Sequence, residues 1–274
     1  MAEVTARGVR FHVQTMPASS GERAAPIVVF VHGLVMDNLS SFYYTLAGPV
    51  AAAGAESVLY DLRGHGRSQR PPSGYGAADA VADLFGILDA LGHHRPVFLV
   101  SNSFGGVVAL NAALARPSRI AGLVLIESYG PAERTGEWTE DMLNTLSKSA
   151  LILEYERLAD QLSAIGWRQP ARQAVTCDAL INGTTLLDDL AAVEPIRPAD
   201  LADVTCPVLA VYGEHSDVLD AGRLLARHVP GCTLYVLAGH AHTVLREGTG
   251  ELLDVLLGWL SEHAGINVPM KAGV

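Results

Sequence analysis

The residues 97–110, VFLVSNSFGGVVAL, hold two serines and two glycines between two apolar runs. A strand that reverses into a helix within two residues strains the residue at the apex, and small residues two before and two after it relieve the crowding. Ser103 has Ser101 and Gly105 at these two positions, so the spacing predicts Ser103 as an exposed nucleophile, with serine in place of the usual first glycine. The alternative is an ordinary strand–turn–helix joint with incidental serines.

A serine hydroxyl is a weak nucleophile that needs a histidine as base, a carboxylate to orient that histidine and donors for the developing oxyanion. Candidate donors follow an early buried strand in the stretch FVHGL. Gly33 allows the backbone to turn there. We therefore predict that the backbone N–H groups of Leu34 and of Phe104, the residue after the nucleophile, form the oxyanion hole.

Carboxylates follow two of the later strands. Glu214, Asp217 and Asp220 come just after the strand pattern VLAVYG. We predict Asp217 as the orienting acid, because it is far enough past the strand to reach sideways. A residue that merely caps the next helix is the alternative interpretation of Asp217. Glu127, which ends the preceding strand in LIES, is an alternative acid.

Two histidines, His240 and His242, follow the last predicted strand in LAGHAHTVLRE. Residues two apart in an extended segment point to the same side, so both side chains could face the site. Only one of them can contact Ser103 and the acid at the same time. The residues alone leave both histidines open as the base.

The elements that position these residues alternate between short apolar strands and amphipathic helices. This alternation is typical of βαβ units and predicts an α/β fold with a mostly parallel central sheet and helices on both faces. The predicted strands are RGVRFHVQTM, PIVVFVHG, ESVLYDL, PVFLVS, IAGLVLIES, CPVLAVYGE and CTLYVLAG, and the predicted helices are SSFYYTLAGPVAAAG, GAADAVADLFGILDALG, FGGVVALNAALARP, DAGRLLARHV and ELLDVLLGWLSEH.

The alternation stops between about residues 130 and 203, where the pattern is helical and includes Trp138, Tyr155 and Trp167. We expect a core formed by residues 1–130 and 204–274, and a helical cap, residues 131–203, that is inserted over the sheet edge.

Composition excludes several classes of protein. The chain has 274 residues, 49 % of them hydrophobic, and a net charge of −10 without a Lys/Arg cluster, which argues against nucleic acid as a partner. No apolar run reaches the roughly 18 residues of a membrane span, and the N-terminus does not resemble a signal peptide, so we expect a cytoplasmic protein. The three cysteines lack metal-ligand spacing and indicate reduced packing residues, so no metal site is expected.

The stretches VHGL, DLRGHGRS, SNSFGG, YGEHSD and GHAHTVLRE together resemble the α/β-hydrolase fold family over essentially the whole chain. The order of nucleophile, acid and base, each after a strand, is that of the family. In the family, a glycine usually precedes the catalytic histidine, which favours His240, and a glutamate usually follows it by five residues, which favours His242 through Glu247. We weigh the second spacing more and predict His242. The resemblance implies a structural role for His65.

The family resemblance also narrows the reaction. Members that open epoxides or remove halides carry an aspartate at the apex, so Ser103 favours acyl chemistry. We predict a serine hydrolase that cleaves an ester, lactone or thioester of a hydrophobic small molecule through an acyl-enzyme, without metal or organic cofactor. Met36, Phe42 and Trp138 are predicted pocket residues.

Three other functions remain open at this point. NSFGG also resembles the elbow of hydrolases that cleave carbon–carbon bonds in ring-fission products, although those usually carry a tryptophan after the catalytic histidine and Thr243 stands here. A thioesterase or cyclase of a specialised-metabolite pathway is a second alternative. A non-enzymatic protein that binds small molecules is the third. The sequence does not predict the natural substrate or the oligomeric state.

Overall fold

The computed structural model describes residues 2–21, 24–132 and 176–267. Within these ranges, eight strands form one sheet in the order β1-β2-β4-β3-β5-β6-β7-β8. The two pairs that involve β2 are antiparallel and the other five are parallel, which confirms the predicted mostly parallel sheet. The strands are β1 (Ala2–Ala6), β2 (Val9–Met16), β3 (Ile27–Val31), β4 (Glu56–Tyr60), β5 (Val97–Asn102), β6 (Ile120–Ile126), β7 (Val208–Gly213) and β8 (Cys232–Leu237).

Strand β1 is absent from the prediction. It has only five residues, two of them alanines, and alanine has a low strand propensity. The turn to β2 consists of Arg7 and Gly8, both with positive φ (51° and 78°), as in the two-residue hairpins that fit the twist of a sheet. The hairpin therefore depends on the turn and on pairing with the rest of the sheet rather than on an alternating pattern of its own.

Helices cover both faces of the sheet, as predicted. The α-helices in the described ranges are α1 (Ser40–Phe42), α2 (Gly48–Ala52), α3 (Ala77–Ala90), α4 (Phe104–Ala115), α5 (Leu186–Ala191), α6 (Leu219–His228), α7 (Val244–Glu247) and α8 (Thr249–Ala264). A π-helical turn, Tyr43–Ala47, joins α1 to α2, and 3-10 turns occur at Pro117–Arg119 and Pro198–Asp203.

The central strands are buried on both sides, which explains their continuous apolar sequences. On β3, Val29 and Val31 belong to the cluster that packs under α3, α4 and α6, whereas Val28 and Phe30 belong to the cluster under α8 and the Ser40–Ala52 region. The two clusters fix the sheet between two helical layers. All parallel strands then end at the same edge, where the predicted catalytic residues lie.

The proposed cap, residues 131–203, is described only in part. Residues 133–175, which include the predicted pocket residue Trp138, lie outside the described residues. After them come a helical turn at 176–181, α5 and the second 3-10 turn. Leu186 and Leu190 of α5 are buried in the cluster under α3 and α4. Across the described ranges, no helix is both long and apolar enough to cross a membrane.

Candidate active site

Ser103 lies at the joint between β5 and α4 in a backbone conformation that L-residues rarely adopt, with φ 54° and ψ −120°. Its N–H donates to Ile126 O (3.0 Å), and its carbonyl accepts from Gly106 N–H (2.9 Å). Strained residues of this kind cluster at active sites. Ser101, in contrast, is fully buried inside β5 and donates its hydroxyl to Val124 O at 3.1 Å. The structure therefore places Ser103 at the apex and Ser101 at the crowded position two residues before it.

The two glycines after Ser103 are required by close packing. A Cβ on Gly105 would lie 2.1 Å from Val31 O of β3. A Cβ on Gly106 would lie 1.9 Å from Ser128 Oγ, just beyond the end of β6. Because neither residue has a side chain, α4 can start directly against the ends of β3 and β6.

The loop after β3 lies against Ser103. A Cβ on Gly33 would be 3.3 Å from Ser103 Cβ. Asp37 pins this loop, because its carboxylate accepts from Gly33 N–H (2.9 Å), Asn38 N–H (2.8 Å) and the Ser41 hydroxyl. The sequence analysis missed Asp37, although Asp and Ser four residues apart in MDNLSS are typical of a loop closed by its own side chains.

Two histidines, His65 and His32, form hydrogen bonds with the backbone of the same loop. Val35 has φ 60°, which is unusual for a β-branched residue, and its N–H donates to His65 Nε2 at 2.8 Å. His65 Nδ1 in turn donates to Arg63 O (2.8 Å), so the ring is neutral. Burial, together with the neighbouring His32, lowers the pKa of His65 to about 3. His65 therefore has a structural role in binding DLRGHG to VHGL.

His32 forms the second of these links. Its Nε2 accepts from Leu62 N–H (2.9 Å) and its Nδ1 donates to Gly33 O (2.7 Å). Of the predicted oxyanion donors, Leu34 lies in this loop and Phe104 lies at the start of α4. Their side chains line one small cavity of about 20 Å³. Their role as donors stays a prediction.

His242 lies just before α7, between two carboxylates. Its Nδ1 is 3.2 Å from Glu127 Oε2 and 3.4 Å from Asp217 Oδ1, and it has a well-aligned hydrogen bond with neither of them. Catalytic hydrogen bonds are often long or poorly aligned before substrate binds. The ring of Tyr129 lies next to the His242 imidazole, with a distance of 5.5 Å between centroids.

His240 occupies a different place. Its Nε2 lies beside the backbone of Gly248, at the start of α8, and its carbonyl accepts from His215 N–H (2.8 Å). A Cβ on Gly213 would lie 2.4 Å from that carbonyl. His240 thus fixes the loop between β8 and α7, residues 238–243, to the loop after β7. We call residues 238–243 the histidine loop. His242 is the histidine of this loop that reaches the carboxylates.

The four candidate carboxylates have separate surroundings. Glu127 is buried, with 1 % of its side chain exposed, whereas Asp217 is 48 % exposed. Glu214 accepts from Gly239 N–H (2.9 Å), so it supports the histidine loop from outside. Asp220 pairs with Arg223 at the surface. Glu127 and Asp217 are therefore the two candidates for the acid of the site.

A cavity of about 660 Å³ opens beside His242. It includes the predicted pocket residue Met36. Phe42, also predicted, instead packs fully buried in the core with its ring centroid 5.2 Å from that of Phe30. The cavity is lined by Met36, Asp37, Asn38, Ser40, Ser41, Asn102, His242, Thr243, Leu245 and Arg246.

A second cavity, of about 510 Å³, shares Asn38 and Ser40 with the first. Tyr43 and Tyr44 of the π-helical turn line it, and Tyr44 is largely exposed. In the part of the chain that the structure describes, no three His, Cys, Asp or Glu side chains are grouped as they would be around a metal ion. The cysteines are free thiols.

Comparisons with known proteins agree with this geometry. The profile of a family described as alpha/beta hydrolase fold matches residues 26–152. Pimeloyl-[acyl-carrier protein] methyl ester esterase of Serratia marcescens is 28 % identical over 75 % of this chain and 84 % of its own length. The 2-hydroxymuconate semialdehyde hydrolase of Pseudomonas putida is 28 % identical over 78 % of this chain and 82 % of its own length. Epoxide hydrolase relatives match over a shorter part, 36 % of the length of one from Siraitia grosvenorii.

The fold itself recurs in solved structures. An esterase from Exiguobacterium antarcticum superposes with a TM-score of 0.73 over 95 % of this chain and 99 % of its own, at 17 % identity. The sheet order, the strained serine turn and these similarities show that the chain has the α/β-hydrolase fold.

Proposed function

We propose that this protein of the α/β-hydrolase fold is a serine hydrolase that cleaves a carboxylic ester, lactone or thioester of a hydrophobic small molecule. The observation that carries the proposal is the strained backbone of Ser103 at the β5–α4 joint. A residue held at such an apex presents its side chain to the edge of the sheet, and here that side chain is a hydroxyl. His242 and two carboxylates lie together at the same edge.

The proposed reaction has two halves. Ser103 Oγ attacks the substrate carbonyl carbon while His242 accepts the hydroxyl proton, and the backbone N–H groups of Leu34 and Phe104 stabilise the oxyanion. His242 then donates that proton to the leaving alcohol or thiol, which leaves an acyl ester on Ser103. Water, deprotonated by His242, attacks this ester and releases the acid, and the proton returns to Ser103.

The relatives support ester chemistry most directly. The esterase relative matches this chain over most of both lengths, and its name specifies a methyl ester. Met36 and Leu245 provide apolar lining to the cavity beside His242, and Asp37 and Arg246 provide charge. An ester with an apolar acyl group and a polar end fits this lining.

Cleavage of a carbon–carbon bond is a second candidate. It is supported by the similarity to 2-hydroxymuconate semialdehyde hydrolase. Thr243 follows His242 where, by the resemblance stated above, such enzymes usually carry tryptophan. We therefore rank ester cleavage first.

A substrate panel tests the proposal. Aryl esters, acyl thioesters, lactones and a vinylogous diketone are offered to the wild type, to Ser103→Ala and to Ser101→Gly. We expect hydrolysis of esters or thioesters by the wild type and by Ser101→Gly, and a loss of about 10⁴-fold or more in Ser103→Ala. Preference for the diketone would favour the second candidate. Full ester hydrolysis by Ser103→Ala would contradict the proposed nucleophile.

A further inference from the structure

We propose that Glu127, and not Asp217, is the carboxylate that positions His242. This inference rests on the proposed serine hydrolase function. The position of Asp217 in the sequence, after β7, favours it as the acid, but the structure puts a second carboxylate, from the end of β6, on the same imidazole nitrogen. The two distances, 3.2 and 3.4 Å, are too similar to decide between them, so the surroundings of each carboxylate must decide.

Burial distinguishes the two carboxylates. Glu127 is 1 % exposed and Asp217 is 48 % exposed. An exposed ion pair is weakened by water and by salt. A buried carboxylate acts through a lower dielectric and is already fixed. Glu127 is therefore better suited to stabilise the imidazolium that forms when His242 takes the Ser103 proton.

Two donors hold the Glu127 carboxylate in place. Oε1 accepts from Gly213 N–H at 2.6 Å, and Oε2 accepts from the Ser216 hydroxyl. Oε2 is also the atom that faces His242 Nδ1. Since a carboxylate oxygen can accept more than one hydrogen bond, the Ser216 contact fixes Oε2 without occupying it fully.

The backbone at Glu127 is specialised as well. Its φ of 48° lies in the left-handed region, which is uncommon for a residue other than glycine, asparagine or aspartate. Contacts with β7 on either side maintain this conformation: Glu127 N–H donates to Val211 O (2.9 Å), and the Tyr212 hydroxyl donates to Ser128 O (2.9 Å). Strained residues that their surroundings fix in this way are a feature of active sites.

The loop after β7, which carries Ser216, also binds the histidine loop. His215 N–H donates to His240 O (2.8 Å), two residues before His242. Ser216, from this same loop, and Gly213, the last residue of β7, are the donors to Glu127. The Glu127 side chain and the loop that carries His242 are thus both hydrogen-bonded to one short segment, whereas the Asp217 side chain is half exposed.

The test compares Glu127→Gln with Asp217→Asn. Glutamine has the shape of glutamate and keeps an oxygen for Gly213 N–H, but it lacks the charge. We expect kcat of Glu127→Gln on an aryl ester to fall about 10³- to 10⁴-fold with KM nearly unchanged, and kcat of Asp217→Asn to fall less than about tenfold. Ser216→Ala is the matched control: it loosens the carboxylate but keeps its charge, so a purely structural role of Glu127 predicts equal losses in Ser216→Ala and Glu127→Gln. Thermal melts check folding of all three.

A second readout does not depend on turnover. The titration of the His242 imidazole is followed by NMR in the wild type, in Glu127→Gln and in Asp217→Asn. Among the described residues, Glu127 and Asp217 are the carboxylates that face this ring, Tyr129 lies beside it, and Asp37 and Arg246 line the same cavity; the last three stay unchanged. Loss of a buried negative neighbour destabilises the imidazolium, so we expect the titration midpoint to fall further in Glu127→Gln than in Asp217→Asn.

Three outcomes are distinguishable. A larger effect in Asp217→Asn than in Glu127→Gln on either readout overturns the assignment, as do equal kcat losses in these two variants. Equal kcat losses in Ser216→Ala and Glu127→Gln, with the His242 midpoint unmoved, reduce Glu127 to a structural residue. A wild type that cleaves no member of the substrate panel overturns the proposed function instead, and the titration still decides which carboxylate His242 senses.

Discussion

His240 and His242 show how two identical residues in one loop acquire different surroundings. The side chain of His240 lies beside Gly248, and its carbonyl, which any residue possesses, makes the contact with His215. The His242 side chain is the one that meets Glu127 and Asp217. The imidazole of His240 therefore contributes packing, whereas that of His242 lies beside the two carboxylates, as the proposed mechanism requires of the base.

We expect His242→Ala to lose about 10³-fold or more in kcat, since Ser103 would have no base. His240→Ala keeps the backbone contact and should lose about tenfold at most, through a loosened loop. Turnover of an activated aryl ester measures both, and thermal melts confirm that both variants fold. If His240→Ala is the inactive variant while both melt like the wild type, the assignment of the base is wrong.

At the scale of single residues, the sequence predicts the nucleophile but does not decide between the two candidate acids. The spacing of small residues predicts Ser103 because a strand-to-helix turn permits only one apex. No comparable rule separates Glu127 from Asp217. Their strands, β6 and β7, are parallel neighbours that end at the same edge of the sheet. The residues that follow the two strands, Glu127 and Asp217, can therefore both reach the same point. Exposure of the side chains and contacts from the β7 loop distinguish them, and these depend on tertiary packing.

The elements reproduce most of the predicted alternation, because buried parallel strands and amphipathic helices have strong sequence patterns. Strand β1 and the π-helical turn are among the elements that such patterns do not predict. Strand β1 is short and depends on the Arg7–Gly8 turn. The π-helical turn Tyr43–Ala47 is too short to show a period different from that of the α-helices beside it.

Helix α4 offers a test of how tightly an element must pack to place Ser103. In Gly105→Ala the added Cβ would meet Val31 O at 2.1 Å, whereas in Gly258→Ala, on the exposed side of α8, it would meet no atom within 4 Å. We expect Gly105→Ala to lower the free energy of unfolding by about 3 kcal/mol or more. Gly258→Ala should raise it by roughly 0.5–1 kcal/mol, because alanine is the better helix former.

Urea unfolding of the two variants, followed by circular dichroism, gives both free energies. Equal stabilities for Gly105→Ala and the wild type would mean that α4 does not approach β3 as closely as described. A Gly258→Ala variant as unstable as Gly105→Ala would show that alanine is unfavourable for reasons other than this contact.

Considered as a whole, the molecule brings together residues that are distant in sequence. Gly33, Ser103, Glu127 and His242 follow four different strands, yet all lie at the carboxyl edge of one sheet. This convergence is a consequence of parallel topology, because parallel strands carry the residues that follow them to one edge of the sheet.

The central claim is that Ser103 is the nucleophile, and covalent labelling measures this most directly. The protein is treated with a serine-directed fluorophosphonate, digested, and mapped by mass spectrometry, with Ser103→Ala and Ser101→Gly in parallel. We predict one adduct, on the peptide that carries Ser103, in the wild type and in Ser101→Gly, and none in Ser103→Ala. An adduct on another residue, labelling that persists in Ser103→Ala, or a wild type that does not react would contradict the account.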